Sequence, residues 1–250
     1  MGDITQRHPD LNVEDERPVL HPWLELSSRS GVEIALDLIK SEPERTISYI
    51  ALGPLTNLAK VVLRDREAVR DRIGRVICMG GALDVPGNTS PVAECRSIHL
   101  RLINVRIGLT ATIVNFFADP FAVKELLTPT EPGHGLPLDR FLLLPLDITT
   151  PHELSFPYYK KVVDGAFEST AAPSQPEGKP PLVHFTSSFL ERTREVMVEF
   201  GKDAMELHDI AAVWCAIENP PVKAQDQDPS ALPALREGWT AARRKFEVER

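Results

Sequence analysis

The chain has 250 residues, of which 42% are hydrophobic and 26% are charged, and its formal net charge is −8. These values are typical of a soluble globular domain with a sizeable core. The acidic balance argues against nucleic acid or an anionic membrane as a partner, because both bind basic surfaces. No apolar run reaches the roughly 18 residues of a membrane-spanning helix. Three cysteines without metal-ligand spacing, and no signal-peptide layout at the N-terminus, predict a reducing, cytoplasmic location.

The hydrophobic pattern predicts helices that alternate with short strands. Residues 1–30 are predicted as loop, and residues 171–181 as a linker or surface loop. Strands are predicted at residues 46–52, 75–79 and 141–146. Helices are predicted at residues 31–40, 55–63, 64–72, 119–127, 189–200 and 210–217. Such alternation indicates an α/β fold with a mostly parallel sheet flanked by helices, in which ligands bind beyond the C-terminal ends of the strands.

The segment 87–94 (Gly-Asn-Thr-Ser-Pro-Val-Ala-Glu) has the chemistry of a binding loop for a polyhydroxylated ligand. It follows a predicted strand that ends in Gly80-Gly81, and glycine allows close approach of the backbone. Asn88 offers a donor and an acceptor, and Glu94 can accept from two hydroxyls at once. The alternative is an ordinary solvated loop.

Other candidate residues have a structural interpretation beside a functional one. Leu52, at a strand end, either precedes a capped helix or offers its carbonyl oxygen to a hard cation. Asp209 is either a first-turn carboxylate or a ligand of a divalent cation, and its neighbour His208 is either a surface residue or a proton donor. Asp147 either lines a site or caps the turn that follows. The other histidines, predicted to be solvated, are His8, His21, His99, His134, His152 and His184.

Together, six ordered segments within about residues 31–220 resemble the inosine/uridine-preferring nucleoside hydrolases. They are residues 51–59, 79–82, 87–94, 115–120, 146–149 and 208–209. The resemblance implies a Rossmann-like open sheet, one calcium ion, and hydrolysis of the N-glycosidic bond of ribonucleosides to ribose and free base. The tail after Gly238 is similar to a late strand of fungal members, cut short.

The resemblance also assigns roles to individual residues. It gives contact with the sugar to Met79, Asn88, Glu94 and Asn115. It gives calcium binding to the Asp209 carboxylate and the Leu52 main-chain oxygen. It makes His208 the acid that protonates the leaving base. A small-molecule nucleoside is the expected partner, and a homo-oligomer is left open.

The chain departs from the family pattern at its front. The family begins with an Asp-x-Asp-x-Gly-x-Asp-Asp cluster that supplies most of the calcium ligands and the general base, and no such cluster occurs in these 250 residues. The expectation is therefore one incomplete domain over residues 1–250 that lacks the first strands and is a poor catalyst or none. The alternatives are a non-catalytic ribose-binding or nucleoside-binding remnant and an unrelated α/β binding protein.

A second departure separates Glu94 from Asn115. The family places a single residue between them, whereas twenty residues, 95–114, intervene here. This segment contains three arginines and no acidic residue. Its removal would restore the family spacing, so we hypothesise a translated retained intron, with a genuine loop insertion as the alternative.

Overall fold

The computed structural model describes residues 6–9, 27–85, 87, 95–97, 114–131, 133–221, 232–244 and 246–248. The chain forms two compact units. The smaller contains residues 152–207 with the described part of residues 1–27, and the larger contains residues 28–151 and 208–250. No helix in the described ranges is both long and apolar enough to cross a membrane.

The elements, in chain order, are α1 (Gly31–Ser41), β1 (Ile47–Ala51), α2 (Thr56–Arg64), α3 (Arg66–Arg72), β2 (Ile73–Met79), β3 (Cys95–Ser97), α4 (Val114–Ala118), α5 (Pro120–Leu127), a 3₁₀ turn (Leu138–Arg140), β4 (Phe141–Leu144), α6 (Leu146–Thr149), β5 (Glu153–Ser155), α7 (Phe156–Val162), α8 (Pro181–Glu199), β6 (Ala204–Glu206), α9 (His208–Glu218) and β7 (Phe246–Val248).

The larger unit is built on a parallel sheet of order β1-β2-β4. Ala51 pairs with Cys78, and Met79 pairs with Leu144, so the three strands end at one edge. The fold class is confirmed as α/β with a mostly parallel sheet. Two antiparallel pairs, β3 with β7 and β5 with β6, complete the strands of the described residues. β3 lies within the predicted insertion, of which only residues 95–97 and 114 are described.

The central strand β2 is buried along its whole length, as expected for a parallel strand covered on both faces. Val76 and Cys78 pack in one core cluster with residues of α1, α2, α3 and α5. Ile77 and Met79 pack in a second cluster with residues of β4 and α9. Because side chains alternate along a strand, helices cover both faces of the sheet.

Local sequence explains how the helices begin. Ser30 and Glu33 form a capping box at α1, in which the Ser30 hydroxyl accepts from the Glu33 N–H at 3.3 Å and Glu33 accepts from the Ser30 N–H at 3.0 Å. Asp119 caps α5 by accepting from the Ala122 N–H at 3.0 Å, and Pro120 occupies the first turn as predicted.

The predicted elements differ from the structure in several places. Helix α8 begins at Pro181 rather than at residue 189, and a proline is favoured in the first turn of a helix. Strand β4 ends at Leu144 because Pro145 has no N–H for the ladder. The predicted elements omitted β5, α7 and β6, which are short and occur in the smaller unit.

The prediction that the remaining histidines are solvated is wrong for His8 and His184. Both are almost fully buried, and their rings meet edge to face with centroids 5.6 Å apart. The pair is 176 residues apart in sequence, so no local pattern indicated it. His184 lies on the buried polar face of α8.

Candidate functional site

The ends of β1 and β2 bring three of the predicted site residues together. Asn115, on α4, donates its side-chain amide to the main-chain oxygens of Leu52 at 3.2 Å and of Met79 at 3.1 Å. The same amide nitrogen lies 3.4 Å from the Met79 sulfur. Leu52, Met79 and Asn115 therefore form one constellation at the C-terminal edge of the sheet, where ligands of open α/β sheets bind.

The hydrogen bonds of Asn115 leave one atom of its amide available. Both N–H groups point at main-chain carbonyls, and the reversed amide would place its oxygen against two other oxygens. The Oδ1 atom accepts no hydrogen bond from the described residues. Since a carboxamide oxygen accepts from hydroxyls, this atom suits a sugar hydroxyl.

Phe116, the residue after Asn115, packs against the turn that follows Met79. It is 2% exposed and packs on the turn after β2, where a Cβ added to Gly80 would lie 2.5 Å from the Phe116 ring. Gly81 has a φ of +78°, a conformation that favours glycine. The space that Gly80 and Gly81 leave beside the backbone is thus filled by the Phe116 ring.

Asp147 hydrogen-bonds to the backbone of the segment between the glycine turn and the predicted binding loop. Its carboxylate accepts from the Leu83 N–H at 2.8 Å and from the Asp84 N–H at 2.7 Å. The side chain caps the segment that follows the glycine turn, rather than the turn after β4. Asn88 and Glu94, the other predicted sugar contacts, lie outside the described residues.

His208 begins α9 and has a defined partner. Its Nδ1 atom lies 2.8 Å from the hydroxyl of Thr149, which is fully buried and donates to the Pro145 carbonyl at 3.3 Å. A hydroxyl has one hydrogen, so when Thr149 donates to Pro145 it accepts from Nδ1–H of His208. The Nε2 atom then carries the lone pair of the neutral ring, or the second proton of the charged ring. The resemblance assigned Thr149 no role, although it lies in the matched segment 146–149.

We expect Thr149→Val to release His208 from this tautomer, because valine can neither accept nor donate. Loss of a hydrogen bond of about 0.5–1.5 kcal/mol corresponds to an increase of roughly 3- to 10-fold in the Nε2–H form relative to Nδ1–H. Nitrogen-15 NMR of the ring measures this ratio. Thr150→Val, at the adjacent helix cap, is the matched control. An unchanged ratio in Thr149→Val would show that the hydroxyl does not select the tautomer.

Asp209 lies in the first turn of α9, and its side chain is exposed. Nearby protein atoms nevertheless raise the pKa of its carboxyl above the ordinary value through desolvation, and the charge of His208 opposes this shift. Three residues further on, Ala212 is fully buried in the cluster that contains Met79 and the partly buried Leu52. Helix α9 therefore packs on the face of the sheet that carries the Met79 side chain.

The described residues do not fit a complete calcium site. They contain no group of three or more His, Cys, Asp or Glu side chains able to hold a metal. The two predicted ligands are the Asp209 carboxylate and the Leu52 carbonyl, and the second already accepts from Asn115. Calcium takes about 6–8 oxygen ligands, so these two groups are too few.

Known proteins resemble this chain in sequence and in fold. A family model described as inosine-uridine preferring nucleoside hydrolase matches residues 2–249. The chain is 42% identical over 69 residues to the inosine-uridine preferring nucleoside hydrolase of Leishmania major, which is 28% of this chain and 21% of that protein. It is 41% identical over 66 residues to the probable uridine nucleosidase 2 of Arabidopsis thaliana, which is 26% of this chain and 20% of that protein.

Among solved structures, the purine-preferring ribonucleoside hydrolase from Gardnerella vaginalis superposes with a TM-score of 0.52 and 22% sequence identity. The match covers 78% of this chain and 49% of that one. The likeness is one of fold. The aligned regions span about a fifth of the two curated relatives and about half of the solved chain.

Proposed function

This chain belongs to the inosine-uridine preferring nucleoside hydrolase family, and from that premise we propose that its site binds the ribose of a nucleoside. The reaction it serves is hydrolysis of the N-glycosidic bond to ribose and free base. The observation that carries the proposal is the Asn115 amide, which joins the carbonyls of Leu52 and Met79 and leaves its own oxygen for a hydroxyl.

Each group at the strand ends has a role in this reaction. The Oδ1 atom of Asn115 accepts from a ribose hydroxyl and fixes the sugar at the edge of the sheet. Met79 acts through Asn115: its side chain is buried in the core, and its carbonyl accepts from the Asn115 amide and so positions it. Water adds to the anomeric carbon as the bond to the base nitrogen breaks. His208, when charged, donates its Nε2 proton to that nitrogen, while Thr149 holds Nδ1.

Catalysis needs a base for the attacking water as well as an acid for the leaving group. The family resemblance places that base, and most of the metal ligands, in an Asp-x-Asp-x-Gly-x-Asp-Asp cluster that these 250 residues do not contain. The described residues also do not fit a calcium site by themselves. These observations favour, for the 250 residues alone, nucleoside binding without turnover as a second candidate function.

A paired assay tests both parts of the proposal. We expect no measurable ribose from inosine or uridine when the 250-residue polypeptide is incubated with calcium, because the base is missing. We expect ribose and nucleoside to bind, with a dissociation constant that Asn115→Ala raises about 3- to 10-fold through the loss of one neutral hydrogen bond. Ribose release is followed with a reducing-sugar assay, and binding by calorimetry.

The matched control is Asn57→Ala, which removes an exposed carboxamide from α2. Substantial ribose release would contradict the requirement for the acidic cluster. Equal binding by the Asn115 and Asn57 variants would contradict the assignment of the sugar site to the strand ends.

A further inference from the structure

The four-residue helix α6 is hydrogen-bonded to both parts of the candidate site. Leu146 and Thr149 are 4% and 0% exposed, so the short helix is fixed in the core. Asp147, between them, bonds the segment that follows the glycine turn, and Thr149 bonds His208. One helical turn therefore supports the strand-end constellation and the candidate proton donor at once.

A main-chain hydrogen bond ties the start of α6 to the end of β2. The Leu146 N–H donates to the Gly81 carbonyl at 2.9 Å. Two residues before Gly81, the Met79 carbonyl accepts from the Asn115 amide at 3.1 Å. A continuous path of covalent and hydrogen bonds thus joins the Asn115 amide to α6.

Asp147 fixes the segment that leaves the glycine turn. Its two carboxylate oxygens accept from consecutive main-chain N–H groups, that of Leu83 at 2.8 Å and that of Asp84 at 2.7 Å. Leu83 and Asp84 belong to no helix or strand, so regular secondary structure does not hold them. Because a charged acceptor makes a stronger hydrogen bond than a neutral one, Asp147 fastens this segment firmly to α6.

Thr149 makes the corresponding contact on the side of the proton donor. Its hydroxyl lies 2.8 Å from Nδ1 of His208 and donates to the Pro145 carbonyl just before the same helical turn. Since Thr149 is fully buried, the position of its hydroxyl follows that of α6. Any shift of α6 against the glycine turn would therefore move His208 relative to Asn115.

We propose that Asp147 is a positioning residue that fixes the separation between the sugar acceptor, Asn115, and the proton donor, His208. It does so by bonding α6 to the segment after the glycine turn. The inference rests on the proposed function, in which both groups contact the same nucleoside. A displacement of about 1 Å between such groups can cost about 100-fold in rate.

An ordinary capping carboxylate would affect stability alone, and the chain contains one for comparison. Asp65 accepts from the Ala68 N–H at 3.0 Å at the start of α3. Helix α3 leads into β2 at the end opposite to Met79. Asp65→Ala therefore removes a carboxylate that bonds a main-chain N–H without touching the site, and it is the matched control for Asp147→Ala.

The tautomer of the neutral His208 ring gives the first measurement. We expect Asp147→Ala to raise the Nε2–H form relative to the Nδ1–H form by about 2-fold or more, because a displaced Thr149 hydroxyl makes a weaker hydrogen bond. Nitrogen-15 NMR of the ring measures the ratio. Asp65→Ala should leave the ratio unchanged, since a loss of stability alone does not alter this hydrogen bond.

Calorimetry with ribose gives the second measurement. We expect Asp147→Ala to raise the ribose dissociation constant about 10-fold, the lower end of the factor for one hydrogen bond to a charged group, because the released segment must be ordered on binding. Asp65→Ala should bind ribose like the unmodified chain. Asp147→Asn keeps the size and one acceptor oxygen, so both effects should be smaller but in the same direction. This variant replaces Asp147→Ala if circular dichroism shows that the alanine variant does not fold.

The outcomes separate this proposal from the proposed function. An Asp147 variant with the tautomer ratio and ribose affinity of the unmodified chain would overturn the positioning role, and a change in only one of the two would overturn the joint role. Equal effects of Asp65→Ala and Asp147→Ala would show a general loss of stability instead. If the unmodified chain bound no ribose, the proposed function would fail, and the tautomer ratio would still decide whether Asp147 positions His208.

Discussion

Phe116→Ala is expected to lower the free energy of unfolding by about 3–5 kcal/mol, the usual cost of deleting a fully packed phenylalanine ring. The ring is 2% exposed and contacts the glycine turn after β2, directly beside Asn115. The cavity therefore forms at the point where the strand ends are held together. We also expect sugar binding to weaken, because the Asn115 amide loses its support.

Phe117→Ala is the control for this prediction, because it makes the same change one residue along the same helix, where the side chain is 47% exposed. Its expected cost is below about 1 kcal/mol. Denaturant unfolding followed by circular dichroism measures both.

A double-mutant cycle tests whether the contact with Gly80 is responsible. In the unmodified chain, Gly80→Ala would place a methyl group 2.5 Å from the Phe116 ring, so it should destabilise. In the Phe116→Ala background the space is open, and the same change should cost little. We expect a coupling energy of about 1–3 kcal/mol. Additive effects of the two substitutions would contradict direct packing of the ring on the turn.

Glu191→Ala is expected to lower the free energy of unfolding of the smaller unit by about 3–5 kcal/mol, the cost of removing one partner from a buried ion pair. Glu191 is fully buried. One carboxylate oxygen lies 2.8 Å from Arg7 Nη1 and 3.2 Å from His8 Nε2, and the other accepts from the Ser174 N–H. The substitution leaves a buried cation and a buried N–H without this acceptor.

The control is Glu199→Ala, at the exposed end of the same helix, with an expected change within about 0.5 kcal/mol. Urea unfolding followed by far-ultraviolet circular dichroism separates the two variants. Glu191→Gln keeps the shape and removes the charge, so its cost should fall between those of the two alanine variants. A Glu191→Ala variant as stable as Glu199→Ala would show that the carboxylate does not hold the segment around His8 against α8.

The local elements of this protein follow from contacts between residues a few positions apart. The capping box of Ser30 and Glu33 begins α1, and Asp119 with Pro120 begins α5. The apolar run of β2 predicts a strand covered on both faces. The ends of β1 and β2, and with them Leu52 and Met79, were therefore predictable from the sequence because strand periodicity and helix capping act within a few residues.

The contacts that build the site join residues far apart along the chain. Asn115 is 63 residues from Leu52, and His208 is 59 residues from Thr149. Helical spacing alone predicts that α8 buries its phenylalanines, yet it buries His184 and Glu191 instead. Their hydrogen-bond partners, Ser174 and Arg7, lie outside the helix. The hydrophobic pattern of a sequence reflects the free energy gained when apolar surface is buried. The pattern does not reflect the free-energy cost of burying polar groups without hydrogen-bond partners. That cost depends on which segments the fold brings together.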